Sequence, residues 1–397
     1  MVTAGELNDL GARLARDAGP SPDAAFDAWI DPLPANADAA LVLHAKHQAL
    51  LRCYQARYIV LPETAPAGLI LDRLATHYAE DRMQALNALR GRLEAELIAP
   101  LQADADAATG DGDVRGYIGR LLPELRAVTS DAFLDALADN PQREHHYRNF
   151  LLQSSADLLA EASASALGVI GEFGPPQSAL FRILIDEFGY GAHGHKHAVL
   201  YRATMRSFDL DDAYNGYSRL FDSNTLMLHN AIHCLFQNPR NVFRQVGFLL
   251  FAETAYQRST LFNARYLGRF HPKADARYFA EHAHIDLHHT KMVVDEVVTP
   301  FLERFGPEIG REIIAGAELT RAVFARNGAG LLALVAAFDA SPSAVYGPGA
   351  HGGALLTPTT PAPADARVQV GAVGSVTGAD FARFPAGAIG RLAEPAL

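Results

Sequence analysis

The sequence predicts an all-α protein, a multi-helix bundle preceded by a helical extension, and three observations carry that expectation. Apolar residues recur at three- and four-residue spacing through most of the first 325 positions, the period of a helix with one face in a core. The intervals between these stretches are short and rich in Gly, Pro, Asp and Asn, residues that stop or cap helices. Over the same span no β-branched run alternates with polar residues, and no repeat of fixed period appears.

The first 35 residues are rich in Ala, Pro and Asp and hold the one tryptophan, Trp29, so an arm or short helix pair is expected there. From Asn36 and Asp38, both able to cap, Leu43, His47, Leu50, Tyr54 and Tyr58 stand at helical spacing. A second helix follows Pro66, and a third runs from about Ala79 to Ile98 with Leu86, Leu89, Leu93 and Leu97 on one side. The acidic, Gly-containing segment Gln102 to Asp113 reads as a linker. Residues 1–113 are therefore taken as an N-terminal extension. Its apolar stripes carry no clustered ligands, which suggests a homodimer contact.

Residues 114–340 form the main domain. Helices are expected at Tyr117 to Val128 and Pro141 to Leu167, the second with Glu161 beside its apolar stripe. GEFGPP then breaks the chain, Ser178 can cap, and a short helix carries Leu180 to Phe188 up to a second break, GYGAHG. Helices at His195 to Phe208, Ala213 to Leu220, Thr225 to Phe236, Val242 to Leu267, Tyr278 to Val298 and Pro307 to Phe324 complete the domain. After about Ser341 the composition turns to Gly, Pro, Ala and Thr, so residues 341–397 read as a flexible tail. Within it VQVGAV and SVTG have the length of a small strand pair.

Composition narrows the function. The charge of −11 arises from 34 basic and 45 acidic residues without a Lys/Arg run, which speaks against a nucleic-acid or anionic-membrane partner and for a small molecule. Cys53 and Cys234 lie far apart, so neither a disulfide framework nor a thiolate zinc site is indicated. The N-terminal MVTAGELNDL has no apolar h-region, and the apolar span Val242 to Tyr256 contains Arg244 and Glu253 and is too short to cross a bilayer. A soluble cytoplasmic protein is expected.

The chemistry centres on Tyr278 to Val298. At about 100° per residue, His282, Asp286 and His289 fall within about 60° of one another, on the side that carries Phe279, Ile285 and Val293. His284 and His288 point the opposite way, with Lys291 and Asp295. Three such side chains on a core-facing stripe are costly to bury unless a metal holds them. Other helices must complete the centre. Glu161, Glu187 (with Asp186 expected to face elsewhere) and His197 are the candidates, while His193 and His195 lie nearer the break. Three carboxylates and three imidazoles suit two ferrous ions, since carboxylates bridge and open positions remain for O2. The paired Glu-x-x-His motifs of a ferritin-like site are absent, as is HExxH.

The segment SALFRILIDEFGYGAHGHKHAVLY, the Glu161-to-Glu187 spacing and His282-x3-Asp286-x2-His289 together resemble the heme-oxygenase-like diiron oxidases and oxygenases, often labelled iron-containing redox enzymes. The resemblance covers roughly residues 145 to 325. It implies a seven-helix core, an Fe(II)2 cofactor, O2 as co-substrate, an external electron donor and a role in natural-product biosynthesis. Two outcomes are compatible with it: N-oxygenation of a small amine or amino acid, or oxidative C–C cleavage, decarboxylation or desaturation. For substrate contacts the residues to consider are Arg182, Tyr190, Glu253, Tyr256 and Arg258, with Glu253 suited to an ammonium group and Arg182 to a carboxylate. A non-catalytic iron-binding bundle and a zinc hydrolase on a related scaffold are the rival readings.

Overall fold

The computed structural model describes residues 1–9, 33, 36–59, 61 and 66–340, together with four short strands in the tail. Up to Ala340 every regular element among them is helical, as the sequence predicts. In chain order the α-helices are α1 (Ala39–Gln55), α2 (Ala67–His77), α3 (Glu80–Leu97), α4 (Ala99–Ala107), α5 (Val114–Arg126), α6 (Ala132–Ala138) and α7 (Arg143–Leu158). They continue with α8 (Ser163–Gly168), α9 (Pro175–Glu187), α10 (His197–Arg206), α11 (Ser223–Gln237) and α12 (Val242–Phe270). The last are α13 (Arg277–Met292), α14 (Thr299–Phe305) and α15 (Gly310–Ala340). The strands pair antiparallel, Val345–Tyr346 with Leu356–Thr357 and Arg367–Gln369 with Ser375–Thr377, the second pair overlapping the VQVGAV and SVTG segments. The arm around Trp29 and the rest of the tail lie outside the described residues.

The chain forms two compact units, Met1–Ala99 with Ala213–Asn230 and Ala329–Leu397, and Pro100–Asp212 with Ala231–Gly328. The division falls inside α11 and α15, so neither unit is continuous in sequence.

In the first unit Asp38 caps α1 by accepting from the Leu41 amide at 2.8 Å, and the helix is then buried on every side from His44 to Gln55. Its polar side chains are met by the segment around Ala213–Asn230. His44 Nδ1 lies 3.0 Å from Ser223 Oγ, Gln48 Nε2 donates to the Ser218 carbonyl at 3.1 Å, and Asn230 Nδ2 donates to the His47 carbonyl at 2.8 Å. The helix expected over Ala213 to Leu220 is instead a series of turns ending in one 3-10 turn, Ser218–Leu220, with Asn215 at φ 63°. Of the stripes expected to make a homodimer contact, Leu43 on α1 is exposed. Leu50 and Tyr54 on α1, and Leu86, Leu89, Leu93 and Leu97 on α3, are buried inside the unit, and Tyr54 donates to Glu94 Oε1 at 2.7 Å. The stripes cover each other.

In the second unit the expected linker is helical as far as Ala107, because its alanines favour helix more than its acids oppose it. The chain then turns through Gly110 and Gly112, both at positive φ. Asp113 and Asp131 cap α5 and α6. Helix α9 starts not at Ser178 but three residues earlier, with Pro175 at its first position, where a missing N–H costs nothing. Helix α12 packs along α13, and its Gly247 meets α15 so closely that a Cβ there would lie 1.9 Å from the Ile313 carbonyl oxygen. One helix, α15, belongs to a stretch long and apolar enough to span a membrane by length and composition, but its Ile313, Ile314, Ala317, Leu319 and Val323 are buried in the protein.

Candidate metal centre

Two breaks in helical geometry set the centre. The first falls at Glu161. The helix expected from Pro141 to Leu167 stops at Leu158, and Ala162 takes a left-handed conformation, φ 64° and ψ −4°, before α8 begins. An alanine held there costs on the order of 1–2 kcal/mol, and strain of this kind persists where packing over-determines it. Glu161 is thereby turned out of helical register toward α13. The second break is the GYGAHG segment between α9 and α10. Gly189, Tyr190 and Gly191 all have positive φ, and a Cβ on Gly189 would sit 2.4 Å from the His195–Lys196 backbone. Only glycine permits so tight a fold-back, which sets His197, the first residue of α10, against Glu187, the last of α9.

Helix α13 supplies the other three. His282, Asp286 and His289 are buried and His284 and His288 exposed, the register that the helical period predicts. The helix runs into a π turn, Val293–Val298, in which the Thr299 amide donates five residues back to Val294. Pro300, without an N–H, could not have bonded to Glu296 in an α-helix, and widening the turn accommodates it.

All six candidates meet. Glu161, Glu187, His197 and His282 offer ligand atoms within 4.8 Å of one another, and so do Glu187, Asp286 and His289. Glu187 belongs to both groups. His197 Nδ1 lies 2.7 Å from Glu187 Oε2, and His282 Nε2 and Nδ1 lie 3.3 Å from Glu161 Oε1 and Asp286 Oδ1. Tyr278 donates to Glu161 Oε1 at 2.7 Å.

Two further carboxylates join them. His289 Nδ1 is 3.2 Å from Glu253 Oε2, and its Nε2 is 3.2 Å from Asp186 Oδ2. The expectation that Asp186 faces elsewhere is thus corrected. Adjacent helical residues diverge by about 100°, but at the end of α9 two side chains of this length close around the ring of the crossing helix. No spacing in the sequence reveals that contact.

Five carboxylates, Glu161, Asp186, Glu187, Glu253 and Asp286, face three imidazoles, and among the described residues no lysine or arginine lines the adjoining cavity. Burial drives the pKa of His289 down, yet Glu253, Asp286 and Glu187 override it and hold the ring up to about 11. Burial works against Glu187 too, and His282, His197 and His289 bring it to about 2. Glu161 Oε2, Asp286 Oδ2 and His282 Nε2 still have no hydrogen-bond partner; the Glu161 oxygen 3.3 Å from that nitrogen lacks the required geometry. Unpartnered oxygens and a nitrogen converging in an anionic, buried site fit divalent iron.

Beside the centre lies a cavity of about 90 Å3, walled by α7, α8, α9, α11, α12 and α13. Among the expected substrate contacts, Glu253 and Tyr256 line it. Arg182, Tyr190 and Arg258 do not. Arg182 is exposed and paired with Glu296, Tyr190 is exposed, and Arg258 donates to the Val128 carbonyl at 3.0 Å. Asp157 and Gln245, which the sequence reading passed over, line the cavity instead. Asp157 stands one turn before Glu161; burial first, then Glu161 and Glu187, push its carboxyl up to about 7.

Residues 148–325 match the family described as iron-containing redox enzyme. This helical stretch is similar to the members of that family. The chain is also 34% identical over 209 residues to nitrosourea synthase of Streptomyces achromogenes subsp. streptozoticus. That match covers 52% of this chain and 44% of the relative, so the chain spans less than half of the relative's length. The matched stretch includes every residue of the two ligand groups.

Proposed function

We propose that the chain is a two-iron oxygenase that transfers one atom of O2 to the nitrogen of a small amine in natural-product biosynthesis. The observation that carries this reading is Glu187, shared by two groups of metal-binding side chains. Glu161, His197 and His282 would hold one ion and Asp286 and His289 the other, with Glu187 bridging. Two ferrous ions held there would supply the two electrons that, with two protons, turn one oxygen atom of O2 into water as the other passes to nitrogen, and an external donor would restore them. The relative's name, a nitrosourea synthase, supports a product with oxidised nitrogen.

The chain's own groups prepare the substrate. An ammonium ion has no lone pair to oxidise, and Asp157, a buried carboxyl on the cavity wall raised first by desolvation, is placed to take its proton. The Tyr256 hydroxyl, which burial and then Asp157 and Glu161 keep well above its ordinary pKa, remains a donor in the same wall. Asp186 is a positioning residue. His289 Nδ1 faces Glu187 and Asp286, at 3.8 and 3.6 Å, so its Nε2–H is left to donate to Asp186 and fix the ring.

Anaerobic Fe(II) titration followed by O2 tests the reading. Two irons per chain, falling on Glu161→Ala, and amine-dependent O2 uptake are expected. One metal per chain, unaffected by Glu161→Ala, rejects it.

A further inference from the structure

The cavity beside the carboxylates has a second polar pole. Gln245 and Glu253 lie on the same helix, α12, eight residues and so about 12 Å apart along its axis. Glu253 touches His289, which puts Gln245 at the end of the wall remote from the metal centre. The Gln245 side chain is 3% exposed, lines the cavity, and its Nε2 has no hydrogen-bond partner. Its carboxamide is seated against Gly168, where a Cβ would lie 2.3 Å from Oε1 and 2.8 Å from the Phe236 ring. A buried amide donor left unpaired costs about 1–3 kcal/mol, which a bound acceptor removes.

We propose that Gln245 reads the far end of the substrate, and that this end is a neutral hydrogen-bond acceptor, such as a carboxamide or ketone oxygen, rather than a carboxylate. The inference rests on the amine-oxygenating reading for the end that reacts. Between the two poles the wall is apolar, with Phe248, Leu249, Ile183 and Leu184. A substrate carboxylate at the Gln245 end, about 12 Å along α12 from the metal-binding side chains, would meet no lysine or arginine among the described lining residues, so its desolvation would go uncompensated there. A neutral carbonyl needs only the one donor that Gln245 offers. At 10–15 Å3 per water-sized volume, the cavity admits a ligand of about six to nine non-hydrogen atoms. The substrate is then an amine with a short apolar body and an uncharged acceptor tail, not a free amino acid.

Calorimetric binding to the full-length protein, loaded with Fe(II) and kept free of O2, tests this with ε-aminocaproamide, ε-aminocaproate and hexylamine. The amide is expected to bind most tightly and the carboxylate least. Gln245→Met keeps the volume and removes the donor, and it should weaken the amide about three- to tenfold while leaving hexylamine unchanged. Gly168→Ala, which displaces the carboxamide, should show the same selective loss without touching Gln245. The proposal is overturned if aminocaproate binds as tightly as the amide, if Gln245→Met weakens amide and hexylamine by the same factor, or if none of the three binds. Because O2 is excluded, the assay is separate from turnover. Selective amide binding without later O2 uptake would reject the oxygenase reading and leave the Gln245 assignment standing.

Discussion

Replacing Gly247 by alanine should loosen the wall that carries both poles of the cavity. The new Cβ would lie 1.9 Å from the Ile313 carbonyl oxygen and 2.7 Å from the Ala317 amide nitrogen, and the facing Gly316 is as tight, with its Cβ 2.0 Å from the Arg244 carbonyl oxygen. Carbon and oxygen do not approach within about 3 Å without repulsion, so α12 and α15 must part by about 1 Å, and backbone atoms cannot swing aside as a side-chain tip can. Overpacking of this kind costs about 1–3 kcal/mol or somewhat more. Alanine's better helix propensity returns up to about 1 kcal/mol, leaving a net loss of about 0–2 kcal/mol or somewhat more for each variant. Gly268 is the internal control. It lies in the same helix with nothing within 4 Å of its added Cβ, so Gly268→Ala should stabilise by up to about 1 kcal/mol. Urea midpoints of the three variants decide the matter. If Gly247→Ala and Gly316→Ala raise the midpoint as Gly268→Ala does, the close approach of α12 to α15 is wrong, and with it the placement of Gln245 and Glu253 along one wall.

Glu187→Ala should deprive both ions of a ligand and lower iron content further than His197→Ala, whereas His284→Ala and His288→Ala, on the exposed face, should leave two irons per chain; metal analysis after anaerobic loading separates these outcomes. Asp186→Asn should weaken iron at the His289 side by about 10–100-fold while the other ion is retained, read as a second, weaker phase in the titration. Acid should destabilise the first unit through its buried histidines. Burial lowers His44 from 6.5 to about 3, and His47 and His229 from 6.5 to about 4. The unfolded chain therefore binds more protons than the folded one below pH 6.5, and the stability these rings contribute is complete above that value and lost as pH falls. At pH 5 the loss is about 2 kcal/mol per histidine. A urea midpoint that stays flat from pH 7.5 to 5 would contradict their burial as neutral rings.

What the sequence determined by itself is local and periodic. The 3.6-residue repeat is a property of the backbone, so the face of α13 that holds His282, Asp286 and His289, and the opposite face with His284 and His288, could be assigned without a partner in view. Breaks at GEFGPP and GYGAHG were equally legible, because glycine and proline act on their own dihedral angles. The residue types of the six candidates pointed to iron for the same reason: their chemistry does not depend on the fold. The tertiary structure decided everything that rests on distances between helices. It broke the helix at Ala162, in left-handed geometry that no alanine signals in sequence, and so aimed Glu161. It closed Asp186 and Glu253 around His289, sent Arg182 and Arg258 to partners outside the cavity, turned the apolar stripes of α1 and α3 inward, and drew Ala213–Asn230 into the first unit by hydrogen bonds to α1. None of these is a property of one helix. Each follows from which surfaces pack together, and the energy of that choice is spread over side chains far apart in the chain.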